Sequence, residues 1–183
     1  MRILGVTASS ILKVTSSYES IASATGTGSS GTITFSSIPS TYKHLQIRIN
    51  ARSTETGTPS VSAFSRANGD TGSNYTRHAI EGDGTSVGLT GLANQTSLML
   101  LRVSADDATA NVMGTGVIDI LDYSSTSKFK TFRSIAGTDN NGGGIIKLHS
   151  GLWRSTSAID TLTIFLSSNN WTTSSTFALY GIK

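Results

Sequence analysis

No cysteine occurs anywhere in this chain. Disulfides and thiolate metal centres are therefore excluded, and redox chemistry says nothing about the compartment. Charge is scarce as well: Asp, Glu, Lys and Arg make up 14% of positions, against the usual quarter. The net charge is +3, yet the basic residues are spread thinly and never form the stripe that a nucleic-acid binder displays. A mildly cationic, solvated surface is the expectation, with no nucleic-acid partner. Long apolar runs are missing too. The opening MRILGVTASSILKV is interrupted by Thr7, Ser9, Ser10 and Lys13, so neither a signal peptide nor a membrane span is expected there. The Glu, Lys, Ala and Leu that coat soluble helices are also in short supply.

Serine and threonine fill that space, at roughly 30% of positions, far above ordinary usage. Threonine favours strands and serine favours turns. The clearest pattern is YKHLQIRINAR, Tyr42 to Arg52. Here Leu45, Ile47, Ile49 and Ala51 alternate with Gln46, Arg48, Asn50 and Arg52, the period of a half-buried strand with one apolar and one hydrogen-bonding, cationic face. Further strands are expected at Tyr18–Ala24, Thr32–Phe35, Val61–Arg66, Tyr75–Ile80, Ser97–Val103, Asn111–Leu121, Phe129–Ala136, Ile145–Trp153, Leu162–Leu166 and Thr176–Ile182. The first two flank a Gly/Ser turn and read as a hairpin; Glu81–Asn94 reads as irregular. Gly114 and Gly116 inside a strand suggest a bend, a bulge or a close backbone approach. The spacing is that of an all-β sandwich or barrel, with two antiparallel sheets sealing an apolar core. An N-terminal arm, residues 1–17, precedes a β-sandwich domain over 18–183. Its apolar Ile3, Leu4, Ile11, Leu12 and Val14 are candidates for burial on another subunit or a larger assembly. Ile11, Val14, Tyr18 and Ile21 also share helical spacing, although the Ser/Thr and β-branched content disfavours a helix.

Motifs with chemistry are weak. Gly26-Thr27-Gly28-Ser29-Ser30-Gly31 matches G-x-G-x-x-G, but a strand follows it where a dinucleotide site needs a helix. His44, His78 and His149 show no zinc-protease spacing, and no G-x-S-x-G elbow accompanies the many serines. Asp106, Asp107, Asp119, Asp122 and the Asp139–Asn141 stretch offer oxygen ligands without EF-hand spacing, so Asx-turns are the simpler reading. No catalytic residue, metal or cofactor is assigned. Trp153, in GLW, reads as core. Trp171, in the polar SSNNWTTSS, reads either as an exposed platform for a sugar ring or as an aromatic folded over the sandwich edge.

The segments TASSILKV, SYESIAS, FSSIPSTYKHLQIRINAR, DTGSNY, TANVMGTGVIDILDY, KFKTFRSIAGTDNNGGG, GLW and FALYGIK together resemble small virion proteins of tailed bacteriophages, notably those of cyanobacterial and marine hosts. The resemblance spans essentially the whole chain. It implies a β-sandwich of jelly-roll type displayed on the particle surface, a homo-oligomer with a trimer favoured, and the major capsid protein or other virion proteins as partners. It brings no catalytic residue. The resulting expectation is a non-enzymatic capsid decoration or cement protein held by its arm. The competing expectations are a tail-borne module recognising host glycans through Trp171 and, set aside for want of paired carboxylates, a polysaccharide depolymerase.

Overall fold

The computed structural model describes residues 17–183. The arm residues Ile3, Leu4, Ile11, Leu12 and Val14 lie outside them. Within the described residues there is no helix and there are twelve strands: β1 (Tyr18–Thr25), β2 (Thr32–Phe35), β3 (His44–Ala51), β4 (Ser60–Ala67), β5 (Tyr75–Gly82), β6 (Val87–Gln95), β7 (Leu98–Ser104), β8 (Gly114–Leu121), β9 (Lys130–Asp139), β10 (Gly144–Trp153), β11 (Leu162–Leu166) and β12 (Thr176–Ile182). They form an eight-stranded sheet, β1-β12-β3-β8-β9-β10-β5-β6, and a four-stranded sheet, β2-β11-β4-β7. All named pairings are antiparallel. The sets β1-β12-β3-β8 and β2-β11-β4-β7 have the interleaved order of an eight-stranded jelly roll. Two extra hairpin pairs, β5-β6 and β9-β10, widen one sheet along a single edge.

Alternation explains why these segments become strands. Leu45, Ile47, Ile49 and Ala51 are all buried, and Ile33 and Phe35 of β2 and Leu162, Ile164 and Leu166 of β11 close the core from the other layer. Each such aliphatic side chain, fully buried, contributes about 1.5–3 kcal/mol. β7 is buried along nearly its whole length and runs beneath β8 and β9. The glycines of β8 serve that approach: a Cβ on Gly116 would stand 2.4 Å from Leu101 Cδ2, and one on Gly114 would stand 2.5 Å from Val103 Cα.

Three expectations need correction. β1 and β2 are not a hairpin; β1 pairs with β12 and β2 with β11, in different sheets. The turn between them packs against the backbone of the β11–β12 connection, where Gly26 N donates to Ser175 O (2.9 Å) and Gly28 N to Trp171 O (3.0 Å). A Cβ on Gly26 would sit 2.1 Å from Thr172 O, so that turn is a corner between layers. Glu81–Asn94, expected to be irregular, holds the end of β5 and nearly all of β6, the outer strand beyond it. Finally, the cations are not all solvated: Arg52, Lys130 and Lys147 are buried. Arg52, assigned by alternation to the polar face of its strand, donates to the carbonyls of Asp106 (2.8 Å), Ala108 (2.9 Å), Thr109 (2.9 Å) and Val112 (3.0 Å). One guanidinium thus secures the connection between β7 and β8.

Candidate interaction surface

The outer face of the eight-stranded sheet carries the most unusual side chains of the molecule. Cross-strand register aligns Leu89 (β6), Ile80 (β5), Leu148 (β10), Ile135 (β9) and Val117 (β8) in one continuous rung. The rung then passes to Arg48 on β3 and Ala178 on β12. Five aliphatic residues in line on a solvent face are the reverse of the usual hydrophobic-in, polar-out alternation. Leu89 is 80% exposed, and Ile80, Leu148 and Ile135 are each about half exposed. The neighbouring rung adds Val87, 73% exposed, and Ile146, 58% exposed. Isolated exposed apolar residues are ordinary; a contiguous patch of six marks an interaction site.

That second rung also explains the shape. It runs Val87, Gly82, Ile146, Gly137, Thr115, Asn50 and Thr176. The missing side chains of Gly82 and Gly137 leave a groove of about 1190 Å³ crossing the strands, floored by Val117, Ile135 and Ile146. Asp83 and Asp139 line the same groove. Asp83 Oδ1 accepts from the backbone N–H of Thr85 (2.9 Å) and Ser86 (2.7 Å), and Oδ2 accepts from the Ser86 hydroxyl (2.9 Å). These bonds hold its carboxyl far below the ordinary carboxylate range, so it stays anionic.

The third rung is polar. Gln46 Nε2 donates to Asp119 Oδ1 (2.9 Å), and Arg48 Nε donates to Gln46 Oε1 (2.9 Å). The Arg48 guanidinium lies over the rings of Tyr18 (5.6 Å) and Tyr180 (5.1 Å). Tyrosine and arginine thus flank the apolar strip, and none of the three rungs holds a lysine, a residue depleted at protein interfaces where tyrosine and arginine are enriched.

Comparison with protein-family models, with curated proteins and with solved structures finds no match to this chain.

The residues singled out in the sequence fall elsewhere. Trp171 is fully buried and packs edge-to-face on Phe177, with ring centroids 4.9 Å apart. It cannot stack on a sugar: the polar letters around it belong to backbone that wraps the sandwich corner, while the ring enters the core. Trp153 is core as expected, with its indole N–H donating to Asp70 Oδ2 (2.6 Å) and its ring stacked on Tyr75. Burial pushes the Tyr75 hydroxyl up to about 12. Asp119, Asp122 and Asp139 are engaged with Gln46, Lys128 and the Asn141 backbone respectively. No group of three or more His, Cys, Asp or Glu side chains suited to a metal ion occurs among the described residues.

One histidine is placed unusually. His149 is buried on the inner face of β10, with Nδ1 3.2 Å from Ser134 Oγ. The Ser134 hydroxyl donates to Leu100 O (2.5 Å). Nδ1 must then carry the proton and donate to Ser134, which leaves Nε2 a bare acceptor. Nε2 has no partner among the described residues. Burial first, then the Arg77 and Lys147 charges, lower the His149 pKa to about 4. The serine's proton is directed to a carbonyl, the arrangement of a packed polar pair rather than of an activated nucleophile.

Proposed function

We propose that this chain is a non-enzymatic structural protein of a bacteriophage virion, a homo-oligomeric decoration or cement protein displayed on the particle surface. Its attachment elements are the apolar N-terminal arm and the outer face of the eight-stranded sheet. The observation that carries the assembly part of this reading is the contiguous strip of Leu89, Ile80, Leu148, Ile135, Val87 and Ile146, which water contacts in the isolated chain. A jelly-roll sandwich with such a strip is suited to symmetric assembly, where one patch is reused around an axis and modest contacts add through multivalency. The particle, the trimer and the capsid partner in this reading rest on the sequence segments that resemble phage virion proteins. A glycan site built from Trp171 and the Asn/Asp-rich loops loses its aromatic member, because Trp171 is buried.

A density map of the virion, with mass spectrometry of purified particles, tests the reading. The expected result is this chain at stoichiometric copy number on the particle surface. Its absence from particles would overturn the assignment.

A further inference from the structure

Resting on the interaction face just described, we propose that the groove across the eight-stranded sheet receives the N-terminal segment, residues 1–16, of a second copy of this chain. Three observations converge. The first is apolar complementarity. The segment carries Ile3, Leu4, Val6, Ile11, Leu12 and Val14 within sixteen residues, and the groove and adjoining rung present Val117, Ile135, Ile146 and Leu148. Placed together, the two apolar sets leave water at once, the principal driving force for association.

The second is charge. The only charged side chains in the segment are Arg2 and Lys13, both cationic. The groove is lined by the carboxylates of Asp83 and Asp139 and by the Arg48 guanidinium, which is already held by Gln46 and two tyrosine rings. An apolar segment with two cations meets a groove whose two carboxylates outweigh its one cation.

The third is where the segment joins the fold. It leads into β1, an edge strand of the same eight-stranded sheet. β1 borders the groove at Ser23, Ala24 and Thr25, at its far end. Residue 17 is therefore roughly 20 Å along the strand from the groove. Sixteen extended residues reach up to about 50 Å, and the sheet from β1 to β10 is about 24 Å wide. The segment is long enough to span a groove, but in its own subunit it enters at the wrong end and must double back along β1. Doubling back about 20 Å and crossing about 24 Å of sheet would use nearly the whole reach of about 50 Å, which favours the groove of a neighbouring copy as the destination. Exchange of arms around an axis yields a closed ring, each copy giving one segment and receiving one.

The absence of native cysteine makes the test direct. In the full chain carrying Leu12→Cys with Ile146→Cys, mild oxidation is expected to give reducible covalent multimers on a denaturing gel. The yield should be at least tenfold above that of Leu12→Cys with Thr34→Cys, a pair placing the second thiol on the outer face of the small sheet. A second pair, Leu4→Cys with Leu148→Cys, covers a different seating of the segment; Ile146 and Leu148 are exposed, so these changes leave the core intact. Multimers from either pair support the proposal. Cross-linking at the control level from both pairs, or a product that stays within one chain, overturns it. If it is overturned while the unmodified chain still forms an oligomer that Ile135→Asp disperses, the interaction face stands and only its occupant is wrong.

Discussion

The ring of His149 sits where it loses water and gains cationic neighbours. Its folded pKa of about 4 lies below the ordinary value of about 6.5, so between those limits the unfolded chain binds the extra proton. Stability from this residue is fully present above about pH 6.5 and is lost as the pH falls toward 4. The shift corresponds to roughly 3 kcal/mol. Chemical denaturation at a series of pH values should show that loss in the native protein and a flatter profile in His149→Leu. Equal profiles would mean that His149 is not the titrating group. Arg52 makes a second residue-scale prediction. Arg52→Ala abandons four backbone carbonyls, that of Ala108 buried and the other three partly so, and should cost about 3 kcal/mol or more, since hydrogen bonds to a charged donor contribute about 1.5–3 kcal/mol each. Arg52→Lys keeps the charge without the fork that spans four acceptors, so its midpoint in urea should fall between the two. None of this was visible in the sequence. Alternation placed Arg52 on a polar face, and a period-two pattern has no means of showing that a loop from another strand closes over the guanidinium. For Trp171 the polar letters around it allow both an exposed platform and a ring folded over the sandwich edge; the ring turns inward, because its neighbours in space are Phe177 and the core.

At the scale of elements, the strands with regular alternation were legible and their partners were not. The apolar sets of β3, β11 and β12 announced both the strand and its buried face. β6 was missed because Gly88 and Gly91 interrupt it and its aliphatic residues Val87, Leu89 and Leu92 are exposed. β6 forms because β5 pairs with it through a tight turn held by Asp83, with Gly84 at φ 89°. Removing the carboxylate in Asp83→Ala leaves two backbone N–H groups of that turn without their acceptor. Amide hydrogen exchange in β6 should accelerate while exchange in β3 and β8 stays slow. Uniform acceleration across all strands would show that the turn supports the whole sandwich instead. β6 is also an edge with no charged residue and no proline, devices that usually protect such edges from pairing. The hairpin expected between β1 and β2 failed because a Gly/Ser turn looks the same whether it joins strands within a layer or between layers.

Across the whole molecule, the interaction face emerges only from register. Leu89, Ile80, Leu148, Ile135 and Val117 belong to five strands scattered from residue 80 to 148, and nothing local marks them as one surface. An outward-facing apolar row of this length costs solubility in an isolated chain, so the account requires it to be covered. Light scattering of the purified full chain, alongside Ile135→Asp/Leu148→Asp, is the most direct measurement. The native chain is expected to be an oligomer at micromolar concentration, and the double variant a monomer with an unchanged β-sheet circular dichroism spectrum. A native chain that is monomeric under those conditions, or a double variant of unaltered mass, would contradict it.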